Sequence, residues 1–211
     1  MGLVDNLVDF AAESLISAMN PLFDYDSKGS TAKEYLKKGL SCYEQNDFVN
    51  AFELFNKASS LGNIDATYMM GMCYAEGQGT EQDNEKAFLL FKKSAEQGRP
   101  CAQSLLGVAY IKGIGTEENK ELGFKWIEKA AEQGLADAQC ALGTCYEDGI
   151  GTEQNKEQAF KWYKKAAEQG DARAQQFLDN WHEGVKQPQK SKKGLIIVII
   201  IVLILAIIGN L

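Results

Sequence analysis

The sequence repeats itself every 36 residues. Gly77-Gln78-Gly79-Thr80 returns as Gly113-Ile114-Gly115-Thr116 and as Gly149-Ile150-Gly151-Thr152. Ala95-Glu96-Gln97-Gly98 returns at 131–134 and at 167–170. A fixed period of this length admits few folds. Each copy is one supersecondary unit that cannot bury its own apolar face, and stacking the copies supplies the burial. The product is an elongated array that offers a long surface to a partner and seldom does chemistry.

Within each copy, two apolar patterns of helical spacing flank the glycine turn. In the copy that starts at Ile64, a first helix (helix A) covers about 64–75, with Ala66, Met70, Gly71 and Tyr74 on one face. Asp83 stands at the N-cap of a second helix (helix B), and Asn119 and Asn155 recur there. Helix B carries Ala87, Phe88, Phe91, Ser94 and Ala95, and Gly98 ends it. Gly71, Gly107 and Gly143 recur inside helix A. An interior glycine costs about 0.8–1.0 kcal/mol relative to alanine, so its repeated use predicts close helix approach. Tyr74, Tyr110 and Tyr146, with Phe91, Trp126 and Trp162 from helix B, are expected to fill the space between layers. Residues 32–63 hold a shorter unit. Ala32, Tyr35, Gly39, Ala51, Phe55 and Ala58 keep the pattern, but its turn lacks four residues and has no Gly-x-Gly. Ala172, Ala174 and Leu178 match only helix A of a further unit, which Trp181 to Gly184 closes. Terminal units are expected to be atypical.

The pattern Ala-x7-Tyr-x2-Gly-x-Gly followed by Lys-Ala-Ala-Glu-Gln-Gly resembles the Sel-one-like repeat, a relative of the tetratricopeptide repeat. The likeness covers three units from Ile64 to Gly170, and the shorter first unit is closer to an ordinary tetratricopeptide repeat. Thr80, Thr116 and Thr152 depart from the aliphatic residue common after the second glycine. The resemblance implies an all-α fold, a right-handed α-solenoid of stacked helix-turn-helix repeats, with helix A on the concave face. It also implies assembly of membrane-associated complexes.

Both ends lie outside the repeats. Leu3, Leu7, Phe10, Ala11 and Leu15 predict a short amphipathic helix, ended by Pro21 and expected to pack on the open end of the array. Its charges are all acidic, which disfavours anionic lipid. The opening residues lack the cationic stretch of an export signal. At the other end, 195–208 is an unbroken apolar run, and the uncharged stretch 194–211 spans about 27 Å as a helix. That nearly matches the roughly 30 Å of a bilayer core. Lys186, Lys190, Lys192 and Lys193 precede it and place the repeats on the cytoplasmic side. The expectation is a single-pass tail anchor, in an ER-type membrane if the source is eukaryotic or the inner membrane if bacterial. The chain thus divides into an N-terminal helix and linker (1–30), a short tetratricopeptide-like unit (31–63), and repeats at 64–99, 100–135 and 136–171. A capping helix (172–184), a basic linker (185–194) and a transmembrane tail (195–211) follow.

Composition narrows the function. Setting aside those four lysines, 18 of the 22 basic residues remain against 29 acidic ones. An acidic body does not suit nucleic acid. The five cysteines form no CxxC pair and no ligand spacing, so they read as buried thiols, with no metal expected. Cys140 and Cys145 sit five apart on one helix, a poor geometry for a bridge. The single histidine, His182, lies at the end of the last helix and reads as a surface or capping residue. The Gly-x-Gly turns lack the context of a phosphate loop, and the Glu-Gln pairs read as solvated helix ends. No catalytic residue and no cofactor is expected.

The reading is a membrane-tethered adaptor that binds a peptide or helix segment of a protein partner in its concave groove, with the bilayer as second partner. Counting from the helix A glycines, the groove positions are Leu36, Leu40 and Tyr43; Asp65, Tyr68 and Met72; Ser104, Val108 and Ile111; and Asp137, Cys140, Thr144 and Glu147. Tyrosine and methionine suit adaptable surfaces. Packing under neighbouring repeats, or cover by the helix at 3–19, is the alternative for these positions. Two other functions stay open: an enzyme of the cysteine-rich repeat type acting on β-lactam-like compounds, which relies on paired cysteines, and a bacterial host-interaction or immunity protein.

Overall fold

The computed structural model describes residues 31–186, with side chains as far as Trp181. Among these residues the chain is all helix. The elements are α1 (Thr31–Glu44), α2 (Phe48–Ser60), α3 (Ile64–Glu76), α4 (Asn84–Glu96), α5 (Pro100–Lys112), α6 (Lys120–Glu132), α7 (Ala136–Asp148), α8 (Lys156–Glu168) and α9 (Ala172–Lys186). They pair in order as A and B helices of four units, and α9 is a lone helix A. The expected helix at 3–19 and the tail at 195–211 lie outside the described residues. Among those described, no helix is long and apolar enough to cross a membrane.

Local chemistry sets the helix ends. The Asp83, Asn119 and Asn155 side chains accept from the backbone amides of Lys86, Leu122 and Gln158 at 2.9, 2.9 and 3.0 Å. Each cap satisfies an amide that the helix itself leaves open, an effect of about 1 kcal/mol. Asn63 does the same for α3, accepting from the Ala66 amide at 2.8 Å. The four-residue-shorter turn of the first unit closes differently: Asn46 adopts the left-handed conformation and Asp47 caps α2.

Each inner helix A packs on its own helix B and on the helix B before it. The helix A glycines make this possible. A Cβ at Gly39, Gly71, Gly107 or Gly143 would lie 2.7, 2.6, 2.5 or 2.9 Å from Phe55, Phe91, Ile127 or Tyr163. The row facing the glycines is therefore Phe55, Phe91, Ile127, Tyr163. Trp126 and Trp162 sit one position earlier and do not join it. One residue along a helix turns a side chain by about 100°, so both indoles end half-buried. Lys129 and Lys165 lie over their rings at 4.3 and 3.9 Å. The tyrosines do bridge layers. Tyr74, Tyr110 and Tyr146 meet Phe52, Phe88 and Phe124 of the preceding unit edge-on, at 5.3, 5.2 and 5.3 Å.

The two glycines of the turn have different duties. The first (Gly77, Gly113, Gly149) is a left-handed C-cap of helix A. The second touches the preceding unit. A Cβ at Gly79, Gly115 or Gly151 would fall 2.0, 2.1 or 2.1 Å from the carbonyl oxygen of Phe48, Asn84 or Lys120. The first unit, with its shorter turn, lacks this motif. A second link runs through glutamines. Gln133 and Gln169 donate to the side-chain oxygens of Gln103 and Gln139 at 2.6 and 2.8 Å. Gln103 and Gln139 donate in turn to the carbonyls of Ala95 and Ala131, both at 3.2 Å. The repeated glutamine expected to be a solvated helix end thus holds, within the third and fourth units, the Gln103 or Gln139 side chain that reaches the preceding unit.

Both ends of the array are polar. Glu34 and Lys38 stand where the inner units have Ala66, Ala102, Ala138 and Met70, Leu106, Leu142, all buried. They form an exposed ion pair of 2.8 Å. At the far end, exposed Asp179 replaces the helix A glycine. These ends close the stack, as an array of this kind requires for solubility. Glu34→Ala with Lys38→Leu is expected to restore an apolar stacking face and cause concentration-dependent self-association in light scattering. A double variant that stays monomeric at all concentrations would contradict this.

Candidate partner-binding groove

The thirteen predicted groove residues fall into rows, as the helix A register requires. Leu36, Tyr68, Ser104 and Cys140 form one row, and Leu40, Met72, Val108 and Thr144 a second. Tyr43, Ile111 and Glu147 form a third, in which the second unit contributes Ala75. Asp65 and Asp137 stand at the helix starts. Leu36, Tyr43, Tyr68, Met72, Ser104, Val108 and Cys140 are buried. Leu40, Asp65, Ile111, Asp137, Thr144 and Glu147 are half-buried. Helix A is enclosed on more sides than a two-sided helix would be, because two B helices clamp it.

Ion pairs tie the helix starts together. Asp65 pairs with Arg99, whose guanidinium lies 4.4 Å from the centre of the Tyr68 ring. The Tyr68 hydroxyl beneath it is buried and has no hydrogen-bond partner among the described residues. Two units on, Arg173 bridges Asp137 and Asp171, both at 2.7 Å. Burial raises the Asp137 carboxyl against the pull of Arg173. Burial also works to raise Asp171, but the Arg173 guanidinium and the Ala174 amide hold it below the usual range. Sequence reasoning missed Arg99 and Arg173; the 36-residue spacing of Asp137 and Arg173 was the available signal. At the opposite helix ends, the Tyr163 hydroxyl donates to Glu147 at 2.9 Å and shares a hydrogen bond of 3.0 Å with Thr144.

The thiols are free, and all but half-buried Cys42 are buried. Burial pushes Cys73, Cys140 and Cys145 up to about 12, which leaves them protonated and unreactive at neutral pH. No cysteine pair joins the helices of a repeat among the described residues. No group of histidine, cysteine and carboxylate there is placed to hold a metal.

Between the second and third units lies a cavity of about 250 Å³. Met72 and Val108, both predicted groove residues, form part of its wall. Phe88, Phe91, Leu105 and Ile114 add most of its remaining large apolar surface, and Glu76, Gln82 and Asn84 also line it. Leu105 and Ile114 escaped the sequence reading, and Phe88 and Phe91 were read only as packing residues, because the space exists only between units.

Four segments of the chain, 31–63, 64–98, 102–135 and 136–171, match the model of the Sel1 repeat. A Sel1 repeat protein from Oxalobacter formigenes has a similar structure at 36% identity and a TM-score of 0.63, over 66% of this chain and 56% of that one. The protein c5321, a protective antigen present in uropathogenic Escherichia coli strains displaying an SLR fold, is 33% identical with a TM-score of 0.65. That match covers 79% of this chain and 34% of the antigen. The chain thus spans about half the length of the first protein and a third of the second. A search of curated proteins finds no match. With its four matched segments taking up well over half of the sequence and stacked as helix pairs, the chain belongs to the Sel1 repeat family.

Proposed function

We propose that this protein is an interaction scaffold, held to a bilayer by residues 195–211, whose repeat domain binds a segment of a protein partner. The observation that carries the reading is the row arrangement. Half-buried Leu40, Asp65, Ile111, Asp137, Thr144 and Glu147 come from four different A helices and are held in register by interlayer contacts. A preformed surface of this kind binds without a large ordering cost. The tether rests on the apolar run after Lys193, and the cytoplasmic placement of the repeats rests on the lysines before it.

Proximity labelling from the repeat domain tests both parts. The full chain is compared with one ending at Lys186 and with a full-length Leu40→Arg, Thr144→Arg variant of unchanged helical signal. Truncation is expected to remove membrane neighbours and release the protein from vesicles. The groove variant is expected to lose its protein neighbours. An identical labelled set in all three overturns the reading.

A further inference from the structure

We infer that the cavity between the second and third units is an anchor site for one bulky apolar side chain of a partner segment, flanked in that segment by lysine or arginine. The inference rests on the scaffold reading and names the chemistry of what that scaffold takes.

The cavity has a cause in the sequence. The third groove row reads Tyr43, Ala75, Ile111, Glu147, and Ala75 is its one small member. In the third unit, Ile111 fills the corresponding space against α6, where a Cβ on Gly123 would lie 2.6 Å from the isoleucine side chain. In the second unit Ala75 and Ala87 hold the places of Ile111 and Gly123, and a space remains beside them among Met72, Phe88, Phe91, Leu105, Val108 and Ile114, with Glu76, Gln82 and Asn84 also in the lining. An apolar cavity of about 150 Å³ suffices to hold benzene. A space of about 250 Å³ therefore accepts a leucine or phenylalanine side chain. The walls come from α3, α4, α5 and the turn after α5, so the site is preformed.

Charge selects the flanks. The segments that supply the lining residues Gln82, Asn84 and Ile114 also carry Glu81, Glu85, Glu117, Glu118 and Glu121, all exposed, and Glu76 is itself part of the lining. Their basic residues are Lys86, Lys112 and Lys120; the first pairs with Asp83 and the last with Glu118. The helix dipole favours Glu85 and Glu121 in first turns, but Glu81, Glu117 and Glu118 precede the caps and gain nothing there. A cationic flank matches these carboxylates and is steered to them at low salt. The N-terminal segment of this chain is a poor occupant, since its first 27 residues contain five acids and no lysine or arginine. The run at 195–208 is far larger than a cavity for one side chain.

The test measures binding of labelled Lys-Lys-Phe-Leu-Lys-Lys peptide to the full chain in detergent, by fluorescence anisotropy. Controls replace the lysines by glutamate or the Phe-Leu pair by Ala-Ala. Both controls are expected to bind at least tenfold more weakly. Ala75→Ile with Ala87→Gly reproduces the Ile111–Gly123 pair of the third unit, fills the cavity and is expected to cost at least tenfold with the helical signal unchanged. Glu81→Lys with Glu117→Lys is expected to weaken binding and flatten its salt dependence. Equal binding of the alanine peptide, or equal binding by Ala75→Ile with Ala87→Gly, overturns the inference. A tighter complex after truncation at Lys186 also overturns it, because the chain's own tail is then the occupant. Leu40→Arg with Thr144→Arg, the groove variant, is measured by proximity labelling beside the peptide titration. If that variant loses its labelled neighbours while the peptide never binds, the anchor fails and the scaffold stands. If the peptide result holds while the neighbours persist, the scaffold groove fails.

Discussion

Replacing Gly115 by alanine is expected to lower folding stability by roughly 3–4 kcal/mol, at the upper end of single substitutions. Two costs combine. Gly115 has φ +66, and an L residue in this region costs about 1–2 kcal/mol. The added Cβ would also stand 2.1 Å from the Asn84 carbonyl oxygen and 2.6 Å from its carbon. Neither is the end of a flexible side chain, so the third unit must move off the second. In a stacked array the interface between neighbours carries much of the stability. The transition is therefore expected to broaden as the two halves uncouple. Gly134→Ala is the matched control. It has φ +91, but its Cβ would meet nothing within 4 Å. It is expected to show the conformational cost alone, about 1–2 kcal/mol. Urea denaturation of the two variants decides the matter, and equal losses would refute the contact.

Stability is expected to fall steeply above pH 9. Burial foremost, with the nearby Glu76, Asp171 and Asp148 carboxylates adding to it, pushes the thiols of Cys73, Cys140 and Cys145 up to about 12. An unfolded thiol titrates near 9. Between these values the folded chain keeps its thiol protons while the unfolded chain loses them. The unfolded state then binds fewer protons, so raising the pH favours unfolding. With the unfolded thiols half ionised at pH 9, each contributes about 1 kcal/mol between pH 9 and 10, and three together about 3 kcal/mol. Urea midpoints at pH 8, 9 and 10 measure this. The variant with alanine at all three positions starts from a lower stability and is expected to show a much shallower fall. The same slope with and without the thiols would refute the assignment.

The fold was legible because its signals are local and repeated. Asp83, Asn119 and Asn155 cap helices wherever they stand, and each sits three residues before the amide it serves. The helix A glycines announced close approach, since nothing else justifies their cost in a helix. What they approach was harder to read. Trp126 and Trp162 looked like the packing residues because they are large, yet Ile127 and Tyr163 take that place. Size does not reveal which way a side chain points, and a shift of one residue moves it off the interface. The groove was legible as rows but not as exposure. Tyr68 and Met72 lie under neighbouring side chains.

By itself the sequence determined the repeat, its period, the helix pairs and the atypical end units. These depend on residue identity at fixed spacing, which a linear text records. The tertiary structure alone decided the contact of Gly115 with the preceding unit, the glutamine struts, the Asp65–Arg99 and Asp137–Arg173 pairs, and the space left beside Ala75. Each of these belongs to the seam between two units, and a seam has a shape only once both sides are in place.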